Sequence, residues 1–316
     1  MKIISNHLKH LAYSLETLPA PVKAFKGFSE DMNCRNFHYD FGKSYHISDP
    51  IICHRGFHAC LNPLDLFFYR GFKDRFASVT LSGKIIAEYE DADVEYYQDK
   101  SELEMQVMDH TSMSDTTHLV NKVCASDITI NKELTIDELI STGISYTKEH
   151  PDVKHIVDGA YCDSESILID TGRYYLEQVL RAGNLIFVNT SSNPVFNDGV
   201  FTTIISTGGN GRVVNNGEFT YIYMSKRGNI TNQASHCKIY VKNNYCCLTN
   251  TGNECKLYIQ GSNHVIYDMG GNNTITIDGV NNTIIANDST KIVGAKNNRI
   301  INDIIRPSQK FKNDNL

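Results

Sequence analysis

Cys255-Lys256-Leu257-Tyr258-Ile259, Val265-Ile266-Tyr267, Thr274-Ile275-Thr276-Ile277 and Thr283-Ile284-Ile285 are four short alternating runs. Each follows a turn pair: Gly252-Asn253, Ser262-Asn263, Asn272-Asn273 and Asn281-Asn282. Alternation of apolar and polar side chains is the period of a half-buried strand. Asp288-Ser289 before Lys291-Ile292-Val293, and Asn297-Asn298 before Arg299-Ile300-Ile301, continue the series. The turn residue thus recurs at 253, 263, 272, 281, 289 and 297. One such unit of roughly nine residues cannot bury its apolar side alone, whereas a stack of them can. Asn and Gly tolerate the left-handed backbone that sharp corners need. The pattern predicts an all-β solenoid over 184–302, with either two or three units to a coil. The repeated Gly-Gly-x-Gly-x-Asp of calcium-binding nonapeptide solenoids is absent, so no calcium ladder is expected. A polar tail, 303–316, carries Pro307 and several Lys and Arg that would discourage edge pairing by the last strand.

Working outward, the composition changes near residue 180, and 316 residues suffice for two domains with separate cores. Hydrophobic residues at 41% and charged residues at 21% are ordinary for a globular chain. A formal charge of −6 argues against nucleic-acid binding by the chain as a whole. No basic-then-apolar leader opens the sequence and no apolar run is long enough for a membrane span, so no membrane partner is expected. The nine Cys have no regular spacing, and Cys246 and Cys247 are adjacent, which suits reduced thiols. The expected compartment is the cytoplasm, where the sequons at Asn229, Asn272 and Asn281 carry no glycan.

The first half reads as α+β. Ile4, Leu8, Leu11, Leu15 and Leu18 make one apolar helical face, near a cap at Ser5 and before Pro19 and Pro21, predicting a helix within 1–21. Short strands follow at Val22–Phe28 and Phe37–Phe41. Gly42-Lys43-Ser44 is no phosphate loop, because Phe37 occupies the position of its first glycine. Asn62 as cap, Pro63 at the first helical position and acidic Asp65 predict a helix to about Tyr69, ended by Gly71. Arg75 to Tyr89 reads as a strand or hairpin turning at Gly83, and Val123–Ile130 as another strand. The acidic run from Glu88 to Glu104, including Glu102-Leu103-Glu104, reads as a solvated loop. Thr135 and Glu138 form a capping box for a helix that stops at Gly143. The expected layout is 22–145 for the α+β domain, 146–183 for a connection, then the solenoid.

The densest chemistry lies in Cys53-His54-Arg55-Gly56-Phe57-His58-Ala59-Cys60. Read as one strand, it puts His54, His58 and Cys60 on one face, and Cys53, Phe57 and Ala59 on the other. His54, His58 and Cys60 are therefore the metal-ligand candidates, with Cys34, His38, Cys53 and Cys124 elsewhere. With no Cys-x-x-Cys pair, no metal or other cofactor is expected. Cys53 or Cys60 beside His58 gives a Cys-His pair of sequence neighbours, whereas catalytic pairs come from separate elements.

A strand carrying Gly56-Phe57-His58-Ala59-Cys60 that leads into an Asn62-Pro63 helix looks like the core of ADP-ribosyltransferase folds. The resemblance implies a nicotinamide-nucleotide pocket, with His58 in the place of an aromatic and Lys26-Gly27 in that of the first-strand basic residue. Lys26 and His58 are the catalytic candidates on that comparison. A wider motif set comprises Lys26-Gly27-Phe28, Cys34-Arg35, Phe37-x-Tyr39, Gly42-Lys43-x-Tyr45, Gly56 to Cys60, Asn62 to Asp65, Arg75-Phe76, Val123 to Ser126, Ile128-x-Ile130 and Glu133-Leu134. Over about 22–142 this set resembles a family of uncharacterised proteins carried by phages and prophages, whose members often end in Asn-Ser-containing β repeats. The resemblance implies a mobile-element origin and a role in the bacterial host cytoplasm, and it brings no substrate. With no complete catalytic constellation beside a repeat array, the expected function is non-enzymatic interaction with a host or phage macromolecule, a protein. A nucleotide-using enzyme and a virion component are the alternatives, and homo-oligomer formation is left open.

Overall fold

The computed structural model describes residues 2–3, 12–51, 54–91, 118–150, 166–170, 178–181, 183, 185–294 and 296–302. The chain divides into two compact units, 1–154 and 155–316.

Unit 1 is built on two long strands. In chain order its strands are β1 (Lys2–Ile3), β2 (Ala12–Leu18), β3 (Val22–Phe28), β4 (Asn33–Cys34), β5 (Phe37–His38), β6 (Ser44–His46), β7 (Phe57–Cys60), β8 (Arg75–Asp91) and β9 (His118–Leu134). β2 and β3 pair antiparallel with successive stretches of β8, and β9 runs along its other edge. β7 pairs with β9 and, at Phe25–Cys60, with β3. The pairings β3–β8–β9–β7–β3 close a ring around Ala24, Phe28, Ala77, Val79, Leu81, Ile85, Val123 and Ile128. Along β8 the buried Ala77, Val79 and Leu81 alternate with half-buried Ser78, Thr80 and Ser82, as the two-residue period requires, whereas β3 is buried on both faces over 24–28.

Four expectations for this unit are corrected. Residues 12–18 form β2 rather than part of a helix, because the β8 edge offers them a full antiparallel ladder; residues 4–11 of that expectation lie outside the described residues. β8 does not turn back at Gly83. The two residues Gly83 and Lys84 oppose Ser126 alone, a β-bulge, with Gly83 at φ 69 and a site where a Cβ would stand 2.1 Å from Ser126 Oγ. The helix after the capping box, α1 (Ile136–Glu149), continues through Gly143. Gly143 is an approach point, since a Cβ there would lie 2.4 Å from Leu64 Cγ. The predicted strand Phe37–Phe41 shrinks to β5, a two-residue hairpin arm.

Other expectations hold. Thr135 Oγ1 accepts from Glu138 N, and Glu138 Oε2 accepts from Thr135 N, which completes the capping box. Asn62 caps a turn of 3-10 helix, Pro63–Phe68, with Leu64 N donating to its Oδ1 at 3.0 Å. Glu102 and Glu104 lie outside the described residues.

Unit 2 is a β-solenoid of two eight-stranded parallel sheets, each coil giving one strand to each sheet. The nine-residue unit is therefore half a coil, and successive coils repeat mostly at 17 or 18 residues, as in Val213–Ile230 and Ile204–Ile222, with a longer step at Ser166–Leu185 and a shorter one at Thr283–Arg299. The first strand, Ser166–Asp170, lies well before the expected start at 184, in sequence without the turn Asn that marks later coils. Columns of aliphatic residues face inward, Ile204, Ile222, Ile239, Leu257 and Ile275 from one sheet and Val213, Ile230, Leu248, Ile266 and Ile284 from the other. Asn210, Asn243, Asn263, Asn272, Asn281 and Asn297 take the left-handed backbone at corners, as their residue type predicts; Phe201, Phe219, His236, Tyr245 and Glu254 do so as well. The tail 303–316 lies outside the described residues.

A second inward column is polar. Asn197, Asn215, Asn232 and Asn250 are fully buried, and each donates its Nδ2 to the next side chain, at 2.7, 2.7, 2.6 and finally 2.7 Å to Asp268 Oδ1. Each Nδ2 also reaches the carbonyl two residues on, at Gly199, Gly217, Ala234 and Gly252. A buried amide is tolerable only when satisfied in this way, so stacking in register is what permits Asn here.

Candidate functional site

Of the sequence candidates, Lys26, Cys34, His54, His58 and Cys60 line a cleft of about 800 Å³ in unit 1, whereas His38 and Cys124 do not; its walls come from β3, the β4–β5 hairpin, residues 45–47, 54 and 56, β7 and the 3-10 helix. Lys26 enters from β3. Its ammonium donates to the His58 carbonyl at 2.7 Å and lies 5.3 Å from the Tyr39 ring centroid. Lys26 is 5% exposed, and burial pushes its pKa down; the Cys34 sulfur opposes that shift and the Arg70 guanidinium adds to it. Such an amine is costly to keep charged in apolar surroundings.

Arg70 reaches the same place from beyond the helix. Its Nη2 donates to Cys34 Sγ at 3.3 Å. Gly27 makes the route: a Cβ there would stand 2.7 Å from Arg70 Cγ. The opposite wall is aromatic. Phe37, Tyr39, Tyr45 and Phe57 pack ring against ring, with Phe37–Tyr39 centroids 4.7 Å apart and Phe37 left 44% exposed. Burial holds the Tyr39 phenol well above its ordinary range, so it stays a neutral donor.

The balance of charge is one-sided. Lys26, Arg35 and Arg70 line the cleft with His46, His54 and His58, and among the described residues no Asp or Glu lines it, although the chain as a whole is acidic. His46 at the rim pairs with Asp127 at 2.7 Å, where the Ser126 hydroxyl and then His46 hold that carboxyl below its usual range.

A family model described as a domain of unknown function (DUF7666) matches residues 22–95. The DUF7666 segment is a minor part of the chain, yet it contains every cleft-lining residue. No curated protein and no solved structure matches the chain.

Lys26 and His58 are brought together, through the main chain of His58. The predicted common face of His54, His58 and Cys60 is corrected. β7 begins at Phe57, and His54 sits in the turn closed by the Ile51–Arg55 bridge, so strand alternation does not extend to it. Among the described residues no group of three His, Cys, Asp or Glu is placed to hold a metal ion. Cys53 lies outside the described residues. Arg70 was not among the sequence candidates, and Cys34 only as a metal ligand; spacing within one segment gives no signal for a contact across 36 residues.

Proposed function

We propose that unit 1 is a ligand-binding domain whose cleft takes a nucleotide, that is, an anion joined to a planar ring. The observation that carries this reading is the lining: Lys26, Arg35 and Arg70, three His and a wall of aromatics, with no carboxylate among the described residues. Arg70 is the phosphate anchor, since a guanidinium presents paired donors to phosphate oxygens. The exposed Phe37 ring offers a stacking face to the base. The volume is in the range of small-ligand pockets, roughly 300–1,000 Å³. The ADP-ribosyltransferase-like resemblance supports the same ligand class at Lys26 and His58, and the reading here is of binding. Calorimetric titration of the full chain with ATP and with NAD is the test. Saturable binding that Arg70→Gln weakens is expected; no heat and no thermal shift with any nucleotide at millimolar concentration would overturn the reading.

A second reading concerns unit 2, as a rigid surface for a macromolecular partner. It is favoured by side chains repeated in register on one sheet, Lys238 beside Lys256 and Tyr240 stacked on Tyr258 at 4.6 Å. The motif resemblance supports a host or phage protein of the bacterial cytoplasm as that partner. Among the described residues no helix is long and apolar enough to cross a membrane. Affinity capture from lysogenic cells, comparing wild type with the Lys238→Glu, Lys256→Glu double variant, should lose a specific protein with the variant. Identical captures would remove this reading.

A further inference from the structure

One corner of the solenoid carries bulky side chains in the left-handed backbone that suits asparagine. Phe201, Phe219, His236 and Glu254 follow one another coil by coil, each N–H donating into the next coil, to the carbonyls of Glu218, Ser235, Asn253 and Gly271. All four hold φ between 55 and 58, and Asn272 takes the same place in the following coil at φ 56. Asn tolerates that conformation, whereas Phe is strained in it. The rings are nonetheless exposed, Phe201 by 57% and Phe219 by 42%. They form a parallel column: Phe201 and Phe219 lie 5.0 Å apart at 11°, Phe219 and His236 4.9 Å apart at 7°. Phe219 is thus covered on both faces, but among the described residues no ring covers the outer face of Phe201.

The charge of this edge is one-sided as well. Its corner segments, 198–201, 216–219, 233–236, 251–254 and 269–272, hold Asp198, Glu218 and Glu254 and no Lys or Arg. Arg181 stands one coil before Asp198, and His236 pairs with Glu254 at 3.5 Å. Glu218 is different: it neighbours Phe201 in the next coil, is exposed, and makes no ion pair among the described residues. Stacking between coils would not ask for that carboxylate, and apolar packing would hide the rings. An exposed ring beside an exposed carboxylate is what a guanidinium satisfies, lying flat on the one and forking its N–H donors onto the other. An ammonium can answer the carboxylate but has no planar face for the ring.

We propose that this corner is the docking site for an arginine-bearing segment of a partner protein, with one guanidinium lying on Phe201 and pairing with Glu218. Asp198 and Glu254 extend the attraction to further basic residues of the same segment. The sheet face that carries Lys238 and Lys256 has the opposite charge and takes no part in this contact. The inference therefore goes beyond both readings above and depends on neither.

The test is isothermal titration of the full chain with two short peptides of equal length and charge, one alternating Ser and Arg, the other Ser and Lys. The Arg peptide should bind saturably and about threefold or more tighter than the Lys peptide, the worth of an exposed cation–ring contact. Phe201→Asn, which suits the left-handed corner, should bring the two affinities together, and Glu218→Gln should weaken both. Thermal midpoints report whether each variant is folded. Should Phe201→Asn fail to fold, Glu218→Gln at its exposed position carries the test, and an unchanged Arg-peptide affinity in that variant overturns the proposal. So does the absence of saturable binding up to millimolar peptide, equal affinity for the two peptides, or an Arg preference that survives Phe201→Asn. Sedimentation in which wild type self-associates and Phe201→Asn does not, with no Arg preference, would give the edge to a second copy of the chain and overturn the proposal as well. Nucleotide titration of unit 1 is untouched by any of these results.

Discussion

Two residues show how burial sets the behaviour of a charge in opposite units. Lys26 is buried with a lowered pKa, so the folded state holds its proton less tightly than the unfolded chain. Its contribution to stability is present above the unfolded value and is lost as pH falls toward the folded one. An anionic ligand opposes this shift by stabilising the charged form. Binding should therefore take up a proton and weaken as pH rises through the folded pKa of Lys26. Lys26→Met should abolish that pH dependence and most of the affinity, while raising the neutral-pH denaturation midpoint by about 1 kcal/mol, since replacing a buried ion by an apolar side chain is often stabilising. Titrations across pH, with a urea melt, check both parts. Asp268 ends the amide column and accepts from Asn250, from Asn273 at 2.8 Å and from Thr290 at 2.7 Å. Burial raises its pKa in spite of these donors. The sign is that its stability contribution is fully present below the unfolded pKa and fades as pH rises through the folded one. Asp268→Asn keeps an acceptor for Asn250 and removes the buried carboxylate, so the expected gain is about 1 kcal/mol at neutral pH and nothing in acid. Melting curves at pH 4 and 7 would show the gap, and an equal shift at both would contradict it.

At the scale of elements, the local signals and the contacts made across the chain are easily separated. The capping box and the Asn62-Pro63 start act within one turn, so residue type and spacing reveal them. Gly143 has the opposite character. As a sequence signal it reads as a helix stop, but in the fold it admits Leu64 against α1. Gly143→Ala gains helix propensity of about 1 kcal/mol and meets overpacking of about 1–3 kcal/mol. A net loss of about 1 kcal/mol in the urea midpoint is expected, with helical circular dichroism retained. Gly27→Ala is the matching case in the cleft: it should leave β3 in place, push Arg70 aside, and weaken nucleotide affinity about tenfold, the loss of one charge-assisted hydrogen bond. Comparing the affinity with the thermal midpoint distinguishes a displaced Arg70 from a damaged fold. Residues 12–18 carry the same lesson for strands. Leu15 and Leu18 satisfy a helical spacing equally well, and the free edge of β8 decides between the two.

For the whole molecule, stability in unit 2 is a property of neighbouring coils, because each strand pairs only with the coil before and after it. Asn232→Leu interrupts the column in the middle. It removes the acceptor of Asn215, the donor to Asn250 and the donor to the Ala234 carbonyl. Unsatisfied buried groups cost about 1–3 kcal/mol each, so a loss of about 2–4 kcal/mol after relaxation is expected. Hydrogen exchange should accelerate first in the coils that hold Asn215 and Asn250 and spare the aliphatic columns furthest away. Uniform acceleration along the solenoid would argue against nearest-neighbour control.

The repeat of turn Asn and alternating strand determined by itself that the second unit is a stacked β structure, because a two-residue period and corner-tolerant residues are properties of a few consecutive positions. It also singled out His54, His58 and Cys60 on one segment, and Lys26 by resemblance, as candidates; the fold is what puts them along one cleft. Only the tertiary structure decided that two units make one coil, that the coils begin before 184, and that the solenoid asparagines divide between left-handed corners and a buried hydrogen-bonded column. Only it turned residues 12–18 into a strand, set Arg70 on Cys34 and brought Lys26 to the His58 carbonyl. The division has one physical reason: periodicity and capping energies are summed over adjacent residues, whereas register, edge pairing and the meeting of charges depend on which distant surface the chain finds.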